Sequence, residues 1–260
     1  MHACPSHQSC LGHRDGSGVN EPPPSPYRFY CPNLVESTTG EQLSGALIQL
    51  ADDQFHHAQR VLRIRIGEAV ELFNGDGLVA AGTWEKTGQV RLESVSEVLR
   101  PKTQIDVAVA FPKGGRADQM LIALSQLGVD QLIPLKTLHS TVHPGPARLR
   151  RYEKLAIESA KQCRRAYLLQ IRSLKTLEQV LREGHDLRLL ACPDEPIASA
   201  PDVADGQSVL ILIGPEGGWH QDEVALGRNN DCRLWHLSPH VLRVETAAVA
   251  AAAIARYLTC

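Results

Sequence analysis

The chain has 260 residues with a formal net charge of −2, and 43% of its residues are hydrophobic. This composition is that of a globular protein large enough for two modest domains, and no apolar run approaches the roughly 18 residues that span a bilayer, so we expect no membrane association. The near-zero charge argues against indiscriminate binding of nucleic acid, which local basic clusters would have to mediate instead.

The N-terminal stretch, residues 1–26, combines Gly, Pro, Ser and His with little apolar content, which predicts a disordered tail. Its cysteines and histidines fit no closed tetrahedral zinc spacing, so we expect no metal site there. The stretch lacks the apolar core of a signal peptide, and the seven cysteines of the chain form no close-spaced paired framework. Both features favour free thiols and a reducing cytoplasm.

Residues 27–101 read as short β-like runs separated by turns. The run Asn74-Gly75-Asp76-Gly77 lies between two of them and is a strong hairpin signal, because consecutive positions with positive φ favour Asn and Gly. We therefore predict a small β-barrel domain. Basic side chains cluster in its segment "QRVLRIRIG"; they are typical either of phosphate contacts or of a solvated helix end, and the pattern does not separate the two.

From residue 102 to residue 260 the pattern changes to strands that alternate with helices. "QIDVAVAF", "RADQMLIALSQ" and "VDQLIPL" form a βαβ unit, and further strands "LRLLAC", "SVLILIG" and "RLWHLS" follow a long helix that begins near Arg148. This order predicts an α/β domain with a mostly parallel sheet covered on both faces. Residues 148–175 hold nine basic and two acidic residues, which fits either a solvated helix face or a nucleic-acid contact.

The turn "GPEGGW" follows a buried strand, and "ACPDEP" follows another. Ligands of open α/β sheets bind at the carboxyl ends of strands, so the two loops predict a site at one sheet edge. A phosphate-binding loop needs free N–H groups, whereas Pro215 has none and Glu216 repels phosphate, which disfavours a nucleoside triphosphate. A carboxylate among glycines suits a cationic ligand, ribose hydroxyls or neighbouring backbone amides; a tight strand-to-helix turn is the structural alternative.

A third segment, "HLSPHVLRVETAAVAAAAI", opens an alanine-rich helix. The alanines permit close packing, either in a helix dimer or against a threaded loop. Arg243 is a candidate functional cation; the alternative is an ion pair with Glu245 or Glu216.

Four motifs in order resemble the RsmE family of 16S ribosomal RNA uridine-N3 methyltransferases, which belong to the SPOUT class. They are "RVLRIRIGEAVELFNGDG", "KGGRADQMLIALSQLGVDQLIPL", "IGPEGGWHQDEV" and "LSPHVLRVETAAVAA", and the resemblance covers about Tyr27 to Leu258. It implies a PUA-like barrel over residues 27–101, followed over 102–260 by a SPOUT methyltransferase domain with a deep trefoil knot. Such a knot is an exception to the rule that protein chains do not thread through their own loops. It also implies a cytoplasmic homodimer that acts on 16S ribosomal RNA, within the small ribosomal subunit.

The resemblance further implies S-adenosylmethionine as cofactor, bound in the knot, with no metal. The cofactor-binding residues would be Ala191, Cys192, Pro193, Ile213, Gly214, Glu216, Gly217, Gly218, Leu237, Ser238, Val241 and Leu242. The catalytic residues would be Arg243, which stabilises negative charge on the uracil, and Glu245, a candidate base beside Glu216 or water. The RNA-binding residues would be Arg60, Arg63, Lys113, Arg116, Arg164 and Arg165.

Three positions depart from the family pattern, namely Gln126, Lys161 and His240. The alternative is therefore a SPOUT-fold RNA-binding protein that is non-catalytic or has a changed specificity. A pyrimidine-C5 methyltransferase would use Cys192 as its nucleophile, but N3 chemistry needs no covalent adduct. A nicotinamide-dependent oxidoreductase is disfavoured because no G-x-G-x-x-G follows a strand.

Overall fold

The computed structural model describes residues 27–34, 45–193 and 201–259. These residues form two units, each built around its own sheet and its own hydrophobic core. The tail predicted for residues 1–26 lies outside the described residues.

The first unit is a five-stranded half-barrel with the strand order β1-β3-β4-β5-β2. Its elements are β1 Tyr27–Tyr30, β2 Leu47–Gln49, α1 Asp52–His57, a π-helical turn Ala58–Leu62, β3 Ala69–Phe73, β4 Leu78–Trp84, a 3-10 turn Lys86–Gly88 and β5 Gln89–Glu97. Alternate residues of β4, ending at Trp84, are buried, as expected of a strand with one face on a core. The predicted hairpin is confirmed: β3 and β4 pair antiparallel, and the side chain of Asn74 accepts hydrogen bonds from the N–H groups of Asp76 and Leu78.

The second unit is a seven-stranded parallel sheet in the order β12-β10-β11-β6-β7-β8, with β9 beside β7. Its elements are β6 Gln104–Val109, α2 Arg116–Gln126, β7 Gln131–Lys136, α3 Pro146–Cys163, β8 Gln170–Ile171, β9 Lys175–Thr176, α4 Leu177–Leu181, β10 Leu187–Ala191, β11 Ser208–Ile213, α5 Gln221–Asn229, β12 Cys232–Trp235 and α6 Val244–Tyr257. The central strands are almost wholly apolar and buried because helices cover both faces of the sheet. Because the strands of this sheet run parallel, their carboxyl ends lie at one edge of the sheet.

The alanine-rich helix α6 packs directly on the sheet, against β6 and β11, and on α2. Ala248, Ala251, Ala252 and Ala255 are fully buried. Side chains this small let a helix approach its neighbours closely. The start of α6 is thus held at the same sheet edge as the loops after β10 and β11.

Defined hydrogen bonds join the two units. The N–H of Leu168 donates to the carbonyl oxygen of Gly75 at 2.9 Å, and the hydroxyl of Tyr167 donates to the carbonyl oxygen of Val98 at 2.8 Å. Arg100 contacts the carboxylate of Asp130 at 3.3 Å. These bonds connect residues on either side of the domain boundary predicted between residues 101 and 102. The position of that boundary stays a prediction. No helix among the described residues is long and apolar enough to cross a membrane.

Candidate functional site

Three parallel strand ends align at one point of the sheet edge. In the register of the sheet, Ala191 at the end of β10 pairs with Ile213 at the end of β11 and with Trp235 at the end of β12. The three loops that follow these strands therefore leave the sheet side by side. Their convergence forms a cleft although more than twenty residues separate successive strand ends in sequence.

The empty space of the open cleft, including its mouth to solvent, is about 660 Å³. It is lined by Ala191, Cys192, Pro193, Ile213, Gly214, Pro215, Glu216, Gly218, Trp219, Trp235, His236, Leu237, Ser238, His240, Val241, Leu242, Val244 and Ala247. Eleven of the twelve cofactor-binding residues expected from sequence are in this set. Gly217 is not: it faces the opposite side of the turn, where an added Cβ would lie 3.2 Å from the Cβ of His139.

Two tryptophans of the cleft were missed by the sequence reasoning. Trp235 ends a strand and Trp219 directly follows the glycine pair, which are the signals that could have identified them. The indole N–H of Trp219 donates to the carbonyl oxygen of Ala191 at 2.8 Å. A Cβ on Gly214 would lie 2.9 Å from this indole ring, so only glycine fits at position 214 without a shift.

The glycine-rich turn is closed by a hydrogen bond from the N–H of Gly218 to the carbonyl oxygen of Pro215 at 2.9 Å. Gly218 has φ +74°, a conformation that side chains with a Cβ rarely adopt. Glu216, at the tip of the turn, is exposed at the cleft. Its side chain has no hydrogen bond or ion pair among the described residues, so it does not brace the turn.

Glu223 braces the turn instead. This buried carboxylate accepts a hydrogen bond from the N–H of His220 at 2.9 Å through Oε2, and one from the N–H of Leu138 at 2.9 Å through Oε1. It thereby caps α5 and fastens the loop after β7 to the segment after β11. The imidazole of His139 adds a contact of 3.1 Å between Nδ1 and the carbonyl oxygen of Gly218.

The two proposed catalytic residues lie at the start of α6, on either side of Val244. Val244 lines the cleft, whereas Arg243 and Glu245 are not among the lining residues. Arg243 is exposed and forms no ion pair with any described residue, so it does not pair with Glu245 or Glu216. Glu245 is largely buried, and its Oε1 lies 3.8 Å from Nη1 of Arg116. Its Oε2 is buried without a hydrogen-bond partner among the described residues, which is an unfavourable arrangement for a carboxylate.

Five of the six predicted RNA-binding residues present cations that are exposed or partly exposed. Arg60 and Arg63 are exposed on the first unit, and Arg63 adopts a left-handed conformation with φ 54° after the π-helical turn. Lys113 is exposed in the loop before α2, and Arg164 is exposed although it contacts Glu71 at 3.4 Å. Arg116 is about 39% exposed beside Glu245.

Arg165 is placed differently. Its guanidinium donates to the carbonyl oxygens of Ser125 at 3.1 Å and Val129 at 2.7 Å, and lies 3.7 Å from the Asp130 carboxylate. Burial lowers the pKa of Arg165, against the opposing effect of Asp130. A side chain so engaged holds α2 to the end of α3, and we do not retain it as a phosphate contact.

The three departures from the family pattern differ in location. Gln126 hydrogen-bonds Gln162 at 3.0 Å between α2 and α3, and Lys161 contacts Glu158 at 2.9 Å. His240 is the one that lines the cleft. No group of three or more His, Cys, Asp or Glu side chains in the described part of the chain could hold a metal ion.

The chain matches two families of protein domains. The RNA methyltransferase domain family covers residues 99–256, and the RNA methyltransferase PUA domain family covers residues 50–88. These matches agree with the parallel-sheet unit and the half-barrel unit, respectively. Together with the solved structures below, they confirm the expected fold class.

Named relatives share most of the length of the chain. Ribosomal RNA small subunit methyltransferase E of Rickettsia conorii is 30% identical over 81% of this chain and 90% of its own length. The Synechocystis protein of the same name is 28% identical over 82% of this chain and 74% of its own length.

Solved structures share the fold. A Legionella pneumophila structure described as a methyltransferase in complex with the bound cofactor SAM has 30% identity and a TM-score of 0.77, over 88% of this chain and 96% of that one. Ribosomal RNA small subunit methyltransferase E of Neisseria gonorrhoeae, solved with S-adenosyl methionine, has 22% identity and a TM-score of 0.79, over 90% and 98%. From its sequence and its fold, the chain belongs to the ribosomal RNA small subunit methyltransferase E family.

Proposed function

We propose that this protein transfers the methyl group of S-adenosylmethionine to N3 of a uridine in 16S ribosomal RNA. The observation that carries the proposal is the convergence of three loops on one cleft within the RNA methyltransferase domain. Membership of the family supports the reaction, and the cofactor named in related structures supports the ligand.

The residues of the cleft fit such a cofactor. Apolar walls formed by Leu237, Val241 and Leu242 suit an adenine ring, and the absence of a Cβ at Gly218, where nothing lies within 4 Å, leaves backbone groups accessible to a ligand. The carbonyl oxygen of Ala191 already accepts one hydrogen bond from Trp219, which fixes its position at the wall of the cleft. When bound, the cofactor supplies an activated methyl group, and the protein need only align the uracil with it.

Arg243 and Glu245 would act on the uracil. A fixed cation at Arg243 stabilises the negative charge that develops on the ring as N3 loses its proton. Glu245 is proposed as the proton acceptor, because its Oε2 lacks a partner among the described residues.

The RNA would be held by phosphate contacts from Arg60, Arg63, Lys113, Arg116 and Arg164. The resemblance to the family supports a cytoplasmic homodimer that acts on RNA within the small ribosomal subunit. The ordered contacts between the two units support joint binding, since they fix the half-barrel relative to the cleft.

Calorimetric titration with S-adenosylmethionine and with its demethylated product tests the cofactor site. Nucleoside analysis of 16S ribosomal RNA from strains with and without the gene then tests the reaction, and loss of 3-methyluridine on deletion is the expected result. Folded protein that binds RNA but does not bind the cofactor and transfers no methyl group would support the non-catalytic RNA-binding alternative. His240, which lines the cleft, would then be the first position to substitute.

A cysteine-dependent C5 mechanism makes a separate prediction. Cys192 lines the cleft as a buried side chain. The N3 mechanism needs no protein nucleophile, so Cys192→Ala should retain methyl transfer. Complete loss of transfer with cofactor affinity intact would favour the C5 reaction instead.

A further inference from the structure

The basic residues between positions 148 and 175 divide into two groups in the structure. Most of them contact carboxylates of the chain: Arg151 contacts Asp118, Lys161 contacts Glu158, Arg164 contacts Glu71, Arg165 contacts Asp130 and Lys175 contacts Glu183. Arg172 and three residues of α3, namely Arg148, Arg150 and Lys154, are exposed and have no ion pair with any described residue. We name the three residues of α3 the α3 basic ridge; Arg150 and Lys154 are one turn apart on the same face, and Arg148 projects from another face.

The first turn of α3 offers no negative charge to the ridge, and Glu153 is the one acidic residue between Arg148 and Lys154. The helix begins after Gly145, which provides no side-chain cap, and its first turn contains no acidic residue. The positive end of a helix dipole favours anions and disfavours cations, yet Arg148 lies in this first turn and Arg150 directly follows. A negatively charged partner outside the chain would relieve this repulsion.

The ridge lies at the functional edge of the sheet. Helices α2 and α3 follow the adjacent parallel strands β6 and β7, so both begin at the edge that bears the cleft. Two hydrogen bonds from Arg151 to Asp118 tie the first turns of the helices together. The rings of Phe111 and Tyr152, stacked at 5.4 Å between centroids, fix the same junction.

Exposed or partly exposed cations lie at or just before the starts of both helices. Lys113 precedes α2, Arg116 begins α2, and Arg148 lies in the first turn of α3. Between Lys113 and Arg116, Gly114 and Gly115 are open to solvent: a Cβ on either would meet no atom within 4 Å. Cations placed in this way suit the phosphates of an extended RNA chain.

We propose that the α3 basic ridge binds the phosphate backbone of the RNA substrate, beside the nucleotide that enters the cleft. This inference rests on the proposed function for the identity of the RNA. It adds the start of α3 to the contacts already proposed for the half-barrel and for Lys113, Arg116 and Arg164 of the methyltransferase unit.

The test is the salt dependence of RNA binding by a triple variant, Arg148→Gln, Arg150→Gln and Lys154→Gln, with 16S ribosomal RNA transcribed in vitro as the probe. Each lost phosphate contact lowers the magnitude of the slope of log K against log salt by about 0.7 for single-stranded RNA, so a fall of about 2 is expected. Affinity for S-adenosylmethionine should not change. The control for the loss of three charges is Lys86→Gln, Lys102→Gln and Arg182→Gln. These three exposed cations lie outside α3, and Lys102 and Arg182 pair with Asp205 and Glu178, so this variant should keep the wild-type slope.

A triple variant that binds the cofactor normally and keeps the wild-type slope would overturn the proposal. The single variant Arg150→Gln, with a smaller expected change of about 0.7, keeps the test available if the triple variant fails to fold. The proposed function is tested apart from this: wild-type protein that binds RNA with the full slope but transfers no methyl group would contradict the reaction and leave the ridge standing. If the control variant lowered the salt slope of RNA binding as much as the ridge variant does, the effect would be one of net charge, and the proposal for the ridge would be overturned.

Discussion

The indole N–H of Trp219 donates a hydrogen bond of 2.8 Å to the carbonyl oxygen of Ala191, and this bond links two of the three loops that form the cleft. Ala191 ends β10, whereas Trp219 follows the glycine-rich turn after β11. The indole also lies against Gly214, which explains why the turn needs a glycine at that position. The shape of the cleft thus depends on one aromatic side chain as much as on the backbone.

Trp219→Phe should weaken both the fold and the cofactor site. The variant keeps the aromatic surface but leaves the carbonyl oxygen of Ala191 without its donor, at a cost of about 1 kcal/mol. Denaturant titration measures the stability, and calorimetry should show weaker binding of S-adenosylmethionine. Trp84→Phe, in the core of the half-barrel, is the control: it should lower stability without changing cofactor affinity in the folded protein.

Gly214→Ala should impair cofactor binding through overpacking. The new methyl group would lie 2.9 Å from the Trp219 ring, so the indole or the turn must shift, at a cost of about 1–3 kcal/mol. Gly115→Ala is a matched control, because a Cβ there meets no atom within 4 Å. Calorimetric titration of both variants should show loss of affinity for Gly214→Ala alone. Equal affinities would mean that the loop adapts freely.

Glu223→Gln should loosen the glycine-rich turn. Glu223 accepts two backbone N–H bonds through its two oxygens, whereas a glutamine has one acceptor oxygen and presents an amide N–H to the other donor. We expect a loss of about 1–3 kcal/mol in the free energy of unfolding, measured by denaturant titration. Asp222→Asn, an exposed neighbour in the same helical turn, should have little effect. A stable Glu223→Gln protein would show that the clamp does not hold the turn.

Arg243→Ala should reduce methyl transfer far more than cofactor binding. Loss of one group that stabilises negative charge in the transition state typically lowers kcat by about 100-fold or more. Arg243 is exposed, so the fold should be unaffected. Single-turnover methylation of 16S ribosomal RNA, with calorimetry of S-adenosylmethionine on the same protein, separates the two effects. An active variant would remove Arg243 from the mechanism.

Because of the buried thiol of Cys232, the free energy of unfolding should fall at alkaline pH. Burial raises the pKa of its thiol from the ordinary value of 9.0 to about 11. Between these pH values the thiol of the unfolded chain has lost its proton, whereas that of the folded chain retains it. The contribution of Cys232 to the free energy of unfolding is therefore complete below pH 9 and is lost as the pH rises through 11. Urea denaturation across this range should show a steeper decline for the wild type than for Cys232→Ala. Parallel declines would assign the effect to other groups.

Local sequence patterns determined much of this protein. The Asn74–Gly77 hairpin, the buried strands of the sheet and the glycine-rich turn are each encoded within a few consecutive residues, because turn geometry and burial periodicity are local properties. Since parallel strands end at one edge, the loops after β10 and β11 could be assigned to the same site from sequence. The resemblance to a known family then added the third loop.

Only the tertiary structure decided which distant residues meet. The placement of β12 beside β10 brings Trp235 next to Ala191, and strand order is not written in the periodicity of either strand. In the same way, Glu223 reaches the N–H of Leu138 across 85 residues, and Arg165 turns from a candidate RNA contact into a buried link between helices. Residue type and spacing indicate what a side chain can do, whereas the partners it finds depend on packing between segments far apart in the chain.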